Sequence, residues 1–194
     1  MVIERHRATL RRAPVRGGQW PGHPTRGVRV DVGTPAPRRN VAVNVVFVCT
    51  GNICRSPIAE KILAAEVEAA GLADRVRVTS AGTGHWHIGQ PMDSRAAQVL
   101  AEHGYDTAHS ARQVDSEILS ADLLVALDMG HLRTLEQSVP DPKRVRLLRS
   151  FDPAAPAGAE VPDPYYGGPD GFAEVHAMIV AAVPGLVEYV TRNA

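Results

Sequence analysis

Cys49 and Arg55 are the residues in this chain best suited to chemistry, with Thr50, Gly51, Asn52, Ile53 and Cys54 between them. A short loop carrying a thiol at one end and a guanidinium at the other can hold an oxyanion. Curled-loop amides and the positive end of a helix dipole converge on one point, and the same field favours thiolate over thiol. Arg55 adds a planar fork of donors that matches two oxygens of a tetrahedral phosphate. Cys49 is then both nucleophile and floor of a phosphate cradle. The plainer reading is a buried, inert cysteine at a strand end, since free cysteine behaves as a small hydrophobe.

The elements around the loop favour the first reading. Val43, Val45, Val46, Phe47 and Val48 form a β-branched and aromatic run that predicts a buried strand. Ser56-Pro57 reads as the N-cap and first position of a helix, because proline's missing N–H is not needed there. Ile58, Ile62, Leu63, Ala65 and Ala69 then recur at helical spacing up to Gly71, a C-terminal stop.

Further on, Val76 to Thr79 alternates as a second strand and runs into Ser80-Ala81-Gly82-Thr83-Gly84. His85-Trp86-His87 follows, with no neighbouring carboxylate or thiol to complete a metal set, so an ordinary loop is expected. Trp86 is either packed in the core or a wall of the cleft. Asp93-Ser94 caps a helix with Ala97, Leu100 and Ala101 on its apolar face, ending before Gly104. His109 to Gln113 precedes a helical turn from Ser116 to Leu119. Leu123 to Leu127 reads as a strand buried on both faces. Asp128 follows, then a helix containing Leu132 and Leu135, and a fourth strand around Val145 and Leu147. A Pro/Gly/Ala-rich loop from Phe151 to Asp170 holds Asp163-Pro-Tyr165-Tyr166-Gly, long enough to suggest function. The last helix shows Phe172, Val175, Ile179, Val183, Leu186 and Val190, with a kink expected at Pro184.

Strands alternating with helices predict an α/β fold: four parallel strands with helices on both faces, three layers in all. Ligands bind beyond the carboxyl ends of such strands, at a topological switch point. Cys49, the Trp86 loop and Asp128 all follow strand ends and should share one rim.

Composition agrees with one globular domain: 44% hydrophobic and 22% charged residues over 194. Zero net charge hides an asymmetry, because residues 1–40 carry nine Arg against Glu4 and Asp31. Five Pro and five Gly accompany them without hydrophobic periodicity, so a disordered N-terminal extension, or a start upstream of the true one, is expected. An Arg-rich segment could touch nucleic acid, but no nucleic-acid partner is expected. No run of 18 apolar residues occurs, so no membrane span is expected either. Two cysteines within one loop do not make a disulfide framework and suit a reducing, cytoplasmic setting.

Four ordered motifs carry a family resemblance: V-C-T-G-N-I-C-R-S-P at 48–57, S-A-G-T-G-x-W at 80–86, H-x-A-R-Q at 109–113 and D-P-Y-Y-G at 163–167. Together they resemble the low-molecular-weight protein-tyrosine phosphatases, bacterial branch, across about residues 43–191. The resemblance implies a four-stranded parallel sheet of flavodoxin-like winding, and a catalytic domain over 41–194. It implies Cys49 as nucleophile, Arg55 as phosphate clamp and Asp163 as general acid and base, with no metal or cofactor. Thr50, Gly51, Asn52, Ile53, Cys54 and Ser56 would surround the phosphate. Asn52 would hold a strained conformation, which Asn tolerates better than most residues, within a network of Ser56, Ser80 and His109. Each of these has a plainer role too: helix cap, strand-end hydroxyl, core histidine. Asp128 would brace Arg55, although an Asp after a strand is also a common helix cap. Trp86, Tyr165 and Tyr166 would wall a cleft deep enough for a phenyl ring, the tyrosines adding apolar surface beside Asp163.

The implied reaction is metal-independent hydrolysis of phosphotyrosine in proteins through a phosphocysteine, by a monomer. In this family a tyrosine kinase can act on the paired tyrosines, here Tyr165 and Tyr166. Arsenate reductase is the first rival. Its thioredoxin-coupled type needs relay cysteines that do not occur after Cys54, whereas a type using an external thiol needs only one. A phosphotyrosine-binding module without turnover is the second, and the retained Cys49, Arg55 and Asp163 argue against it.

Overall fold

A computed structural model describes residues 43–194. The expected extension over residues 1–40 lies outside them. Four strands, β1 (Val43–Cys49), β2 (Val76–Gly82), β3 (Leu123–Ala126) and β4 (Val145–Leu147), pair in parallel in the order β2-β1-β3-β4. The helices are α1 (Arg55–Ala69), α2 (Ser94–Glu102), α3 (Ser116–Leu119), α4 (Met129–Glu136) and α5 (Pro169–Asn193).

Side chains of β1 alternate between the two faces. Val43, Val45 and Phe47 pack with Ile58, Ile62 and Leu63 of α1, Leu100 of α2 and Ile179 of α5. Val46 and Val48 face the other way, against Ile118 of α3 and Leu135 of α4. The sheet is thus covered on both sides, as parallel sheets require. β2 lies to one side of β1 and β3 to the other, so the chain reverses direction at β1, and the crevice beyond its carboxyl end begins at Cys49.

Two helix faces differ from the periodicity. α2 buries Ala96, Val99 and Leu100, while Ala97 is half-buried and Ala101 exposed. α1 buries Val67, whereas Ala69 is exposed. Val67 in α1 and Val99 in α2 hold core places expected of alanine, because burying more methylenes gains more, while Ala96 simply replaces Ala97 on the buried face. α5 continues as one helix through Pro184. By length and composition it could cross a bilayer, but Phe172, Val175, Ile179, Val183, Leu186 and Val190 form its buried stripe against the sheet. Gly185 allows that packing, since a Cβ there would stand 2.2 Å from the Phe151 carbonyl oxygen.

Candidate active site

β1 delivers Cys49 to the rim, and the chain curls through Thr50–Cys54 before α1 starts at Arg55. Ser56 is not the helix cap. The N-cap position is Cys54 and makes no side-chain hydrogen bond, leaving Ser56 in the first turn with its hydroxyl turned inward. Pro57 sits in that same turn, where an N–H has no intrahelical partner to lose. Among the described residues, the amides of Gly51, Asn52, Ile53 and Cys54 donate to no protein acceptor. Free loop amides ahead of a helix N-terminus are suited to an anion.

Asn52 is the one non-glycine among the described residues with positive φ, at 55°. Every polar group on its side chain is used. Nδ2 donates to Ser56 Oγ at 2.9 Å and to Ser80 Oγ at 2.8 Å, while Oδ1 accepts from the Arg112 amide at 2.9 Å. The Asn52 carbonyl accepts from His109 Nε2 at 2.7 Å. Ser80 donates in turn to Glu60 Oε2. Asn52 donates to Ser56 Oγ, which lies 2.9 Å from Cys49 Sγ and 3.5 Å from the Ala81 carbonyl, so the hydroxyl is within hydrogen-bond reach of the sulfur. Gly82 completes the support: a Cβ there would lie 2.8 Å from the Thr50 carbonyl oxygen, so only glycine lets β2 end this close to the loop.

Arg55 is buried, and its charge is met on two sides. Nη1 donates to Asp128 Oδ2 at 2.9 Å and to the Val161 carbonyl at 3.1 Å; Nη2 donates to Asp163 Oδ2 at 3.0 Å. Asp128 fills both roles open to it. Oδ2 braces Arg55, and Oδ1 caps α4 by accepting from the His131 amide at 2.9 Å. Burial works against that carboxylate, but the His131 amide, the His131 ring and Arg55 outweigh it and hold Asp128 below the usual carboxylate range.

His131 was not singled out from the sequence. Its Nε2 lies 2.9 Å from Thr50 Oγ1. Its Nδ1 is 2.9 Å from Asp128 Oδ1 without making a hydrogen bond. Burial pulls this imidazole below its ordinary value, with Asp128 opposing. The roles of Glu60 and Arg112 were missed as well: Glu60 meets Ser80, 20 positions away, and Arg112 meets Asn52, 60 positions away, separations that leave no local pattern, while His87 is a further wall of the cleft.

Cys49, Arg55 and Asp163 meet in a cleft of about 480 Å³ walled by Trp86, His87, Tyr165 and Tyr166. Trp86 is a wall and not a core residue, at 62% exposed. The tyrosine rings meet edge to face with centroids 5.0 Å apart. They do not shelter Asp163 as expected: Tyr166 is 94% exposed, and the carboxylate is half-exposed and paired with Arg55. Cys54 is buried beside Cys49, and burial, followed by the charges of Asp93, Cys49 and Asp163, pushes its thiol up to about 12.

The sequence profile of the family described as low molecular weight phosphotyrosine protein phosphatase matches residues 44–194. The low molecular weight protein-tyrosine phosphatase A of Mycobacterium tuberculosis is 57% identical over 152 residues, 78% of this chain and 93% of that protein. A low molecular weight protein-tyrosine-phosphatase of Streptomyces coelicolor is 55% identical, over 77% of this chain and 94% of its own length. A crystal structure of a protein tyrosine phosphatase from Entamoeba histolytica, with Hepes in the active site, superposes with a TM-score of 0.73 at 32% identity, covering 77% of this chain and 97% of that one. In sequence and in fold, this chain belongs to the low molecular weight phosphotyrosine protein phosphatase family.

Proposed function

We propose that this chain hydrolyses phosphotyrosine in proteins, with Cys49 as nucleophile, Arg55 as phosphate clamp and Asp163 as general acid and then base. One observation carries the reading: Cys49 Sγ, 2.9 Å from the Ser56 hydroxyl, shares a single aromatic-walled cleft with Arg55 and Asp163. In the first step Cys49 attacks phosphorus in line. The S–P bond forms as the P–O bond to the tyrosine breaks, and Asp163 gives its proton to the departing phenolate. Loop amides and Arg55 hold the equatorial oxygens, where electrostatic stabilisation acts. In the second step water attacks phosphorus, Asp163 takes a proton from it, and the thiolate leaves.

The supporting residues have roles of their own. Asn52, Ser80 and His109 keep the loop in its strained turn, Ser56 donates to the sulfur, and Asp128 orients the Arg55 fork. Trp86, Tyr165 and Tyr166 give a phenyl ring apolar walls, while Thr50, Gly51, Ile53 and Cys54 complete the cradle. The catalytic unit is residues 41–194, and the family match beginning at 44 supports that boundary. A thiol nucleophile suits a reducing, cytoplasmic compartment. Tyr165 and Tyr166, both exposed, are acceptors open to a tyrosine kinase. A thioredoxin-coupled arsenate reductase is disfavoured, since the chain has two cysteines in all and both lie in this loop.

The test is hydrolysis of an aryl phosphate, with and without EDTA, by the native protein and by Cys49→Ser. Turnover indifferent to EDTA and abolished in Cys49→Ser is the expected result. Unchanged turnover in the variant would sink the reading.

A further inference from the structure

Arg95 stands in the first turn of α2, outside the cleft lining, and joins the two loops that chemistry must keep in register. It grips Asp93 with two nitrogens: Nε donates to Oδ1 and Nη2 to Oδ2, each at 2.9 Å. The same guanidinium reaches the other loop, with Nη2 on the Tyr165 carbonyl at 3.0 Å and Nη1 on the Gly167 carbonyl at 3.1 Å. Its flat face lies 4.5 Å from the ring centre of buried Phe172 in α5, which fixes the plane of the fork.

Both ends of this bridge lead to reacting groups. The Asp93 amide donates to the Ile53 carbonyl of the phosphate loop at 2.8 Å. The Tyr165 amide donates to Asp163 Oδ1 at 3.1 Å. A continuous path therefore runs from Ile53 through Asp93, Arg95 and Tyr165 to Asp163. Residues 163–168 contain no helix or strand, only a turn closed by the Gly167 amide on the Pro164 carbonyl at 3.0 Å. Such a segment takes its position from what holds it outside itself.

We infer that Arg95 is a positioning residue for general acid catalysis: it sets the placement of the Asp163 carboxyl relative to the phosphate loop. The inference rests on the reading of Asp163 as general acid. Lysine cannot substitute, because one nitrogen cannot span the Asp93 carboxylate and two loop carbonyls together.

The discriminating quantity is dependence on the leaving group. A tyrosine phenolate needs a proton to leave, a nitrophenolate far less. Single-turnover phosphorylation of the enzyme is measured with a phosphotyrosine peptide and with nitrophenyl phosphate, for Asp163→Asn, Arg95→Gln, Arg95→Lys and the double variant Arg95→Gln/Asp163→Asn. Both Arg95 variants should slow the peptide reaction by about tenfold or more relative to nitrophenyl phosphate, a partial loss of the roughly 10²–10⁴-fold an acid supplies. Adding Arg95→Gln to Asp163→Asn should cost nothing further on the peptide. Equal slowing of both esters by the Arg95 variants, with Asp163→Asn still selective, overturns the role of Arg95 alone, as does an additive loss in the double variant. Equal slowing of both esters by Asp163→Asn overturns the reading of Asp163, and the inference falls with it.

Discussion

Asp163 Oδ2 and Arg55 Nη2 stand 3.0 Å apart at the mouth of the cleft, so the proposed acid and the proposed phosphate clamp are partners of one another. A phosphoryl group gripped through Nε and Nη2, the side of the fork not spent on Asp128 and Val161, competes with Asp163 for Nη2 and favours release of its carboxyl group towards the leaving oxygen. Binding of substrate and arming of the acid are then one exchange of partners.

That exchange has a cost which can be removed. The Asp163→Asn variant lacks the charge that competes for Arg55, so inorganic phosphate should bind it more tightly than the native enzyme even as turnover falls. A half-exposed ion pair sets the scale at about two- to fivefold. Competitive inhibition by phosphate measures it, and weaker inhibition of the variant would contradict the pairing.

Asn52 separates backbone strain from hydrogen bonding. Its φ of 55° suits glycine, while its side chain holds Ser56, Ser80 and the Arg112 amide. Asn52→Gly loses the bonds and keeps the conformation; Asn52→Ala loses the bonds and adds strain of about 1–2 kcal/mol. Both should lose turnover, with Ala less stable than Gly in urea unfolding. Equal midpoints would mean that the loop is not strained at Asn52.

The strand, the curled loop and α1 are legible in the sequence because they rest on local signals: a β-branched run, a turn, and apolar residues at helical spacing. The parallel sheet follows from the alternation of elements. Long-range polar partnerships are not legible in this way. The Ser56 hydroxyl looks like a cap until Asn52 and Cys49 are seen around it. Asp163 is found by its D-P-Y-Y setting, but its bond to Arg55, 108 positions away, has no sequence signal. Arg95 and His131 look like ordinary helix-surface residues, since nothing near them in the chain announces a partner.

Cys54 should protect Cys49 from over-oxidation. With its own thiol pushed up to about 12, Cys54 stays protonated at neutral pH and leaves Cys49 to meet peroxide. The Cys49 sulfenic acid can then condense with the Cys54 thiol, forming an S–S bond and releasing water. A reducible Cys49–Cys54 peptide should appear by mass spectrometry, faster as pH rises and Cys54 ionises. Sulfinic acid on Cys49 without a linked peptide would contradict this.

Two buried imidazoles should make the fold sensitive to mild acid. Burial pulls both His131 and His176 below their ordinary value; Asp128 opposes it at His131, and His103 reinforces it at His176. The unfolded chain therefore takes up protons near pH 6.5, about the free-histidine value, that the folded chain refuses. Stability is fully present above that pH and is lost as pH falls towards the folded values. Replacing either histidine with Gln should flatten the loss, by at most about 1.4 kcal/mol per pH unit. Unfolding curves between pH 7 and 5 with the same slope in native and variant proteins would contradict it.

The most direct measurement asks where the phosphoryl group goes. Asp163→Asn mixed with nitrophenyl phosphate should complete the first step, whose leaving group needs little help, and stall at the second, which has lost its base. Acid quenching and peptide mass spectrometry should then find one phosphoryl group on the peptide carrying Cys49, and fragmentation should place it on that sulfur. Product released over many turnovers with an unmodified Cys49, or a phosphoryl group on any other residue, would contradict the account.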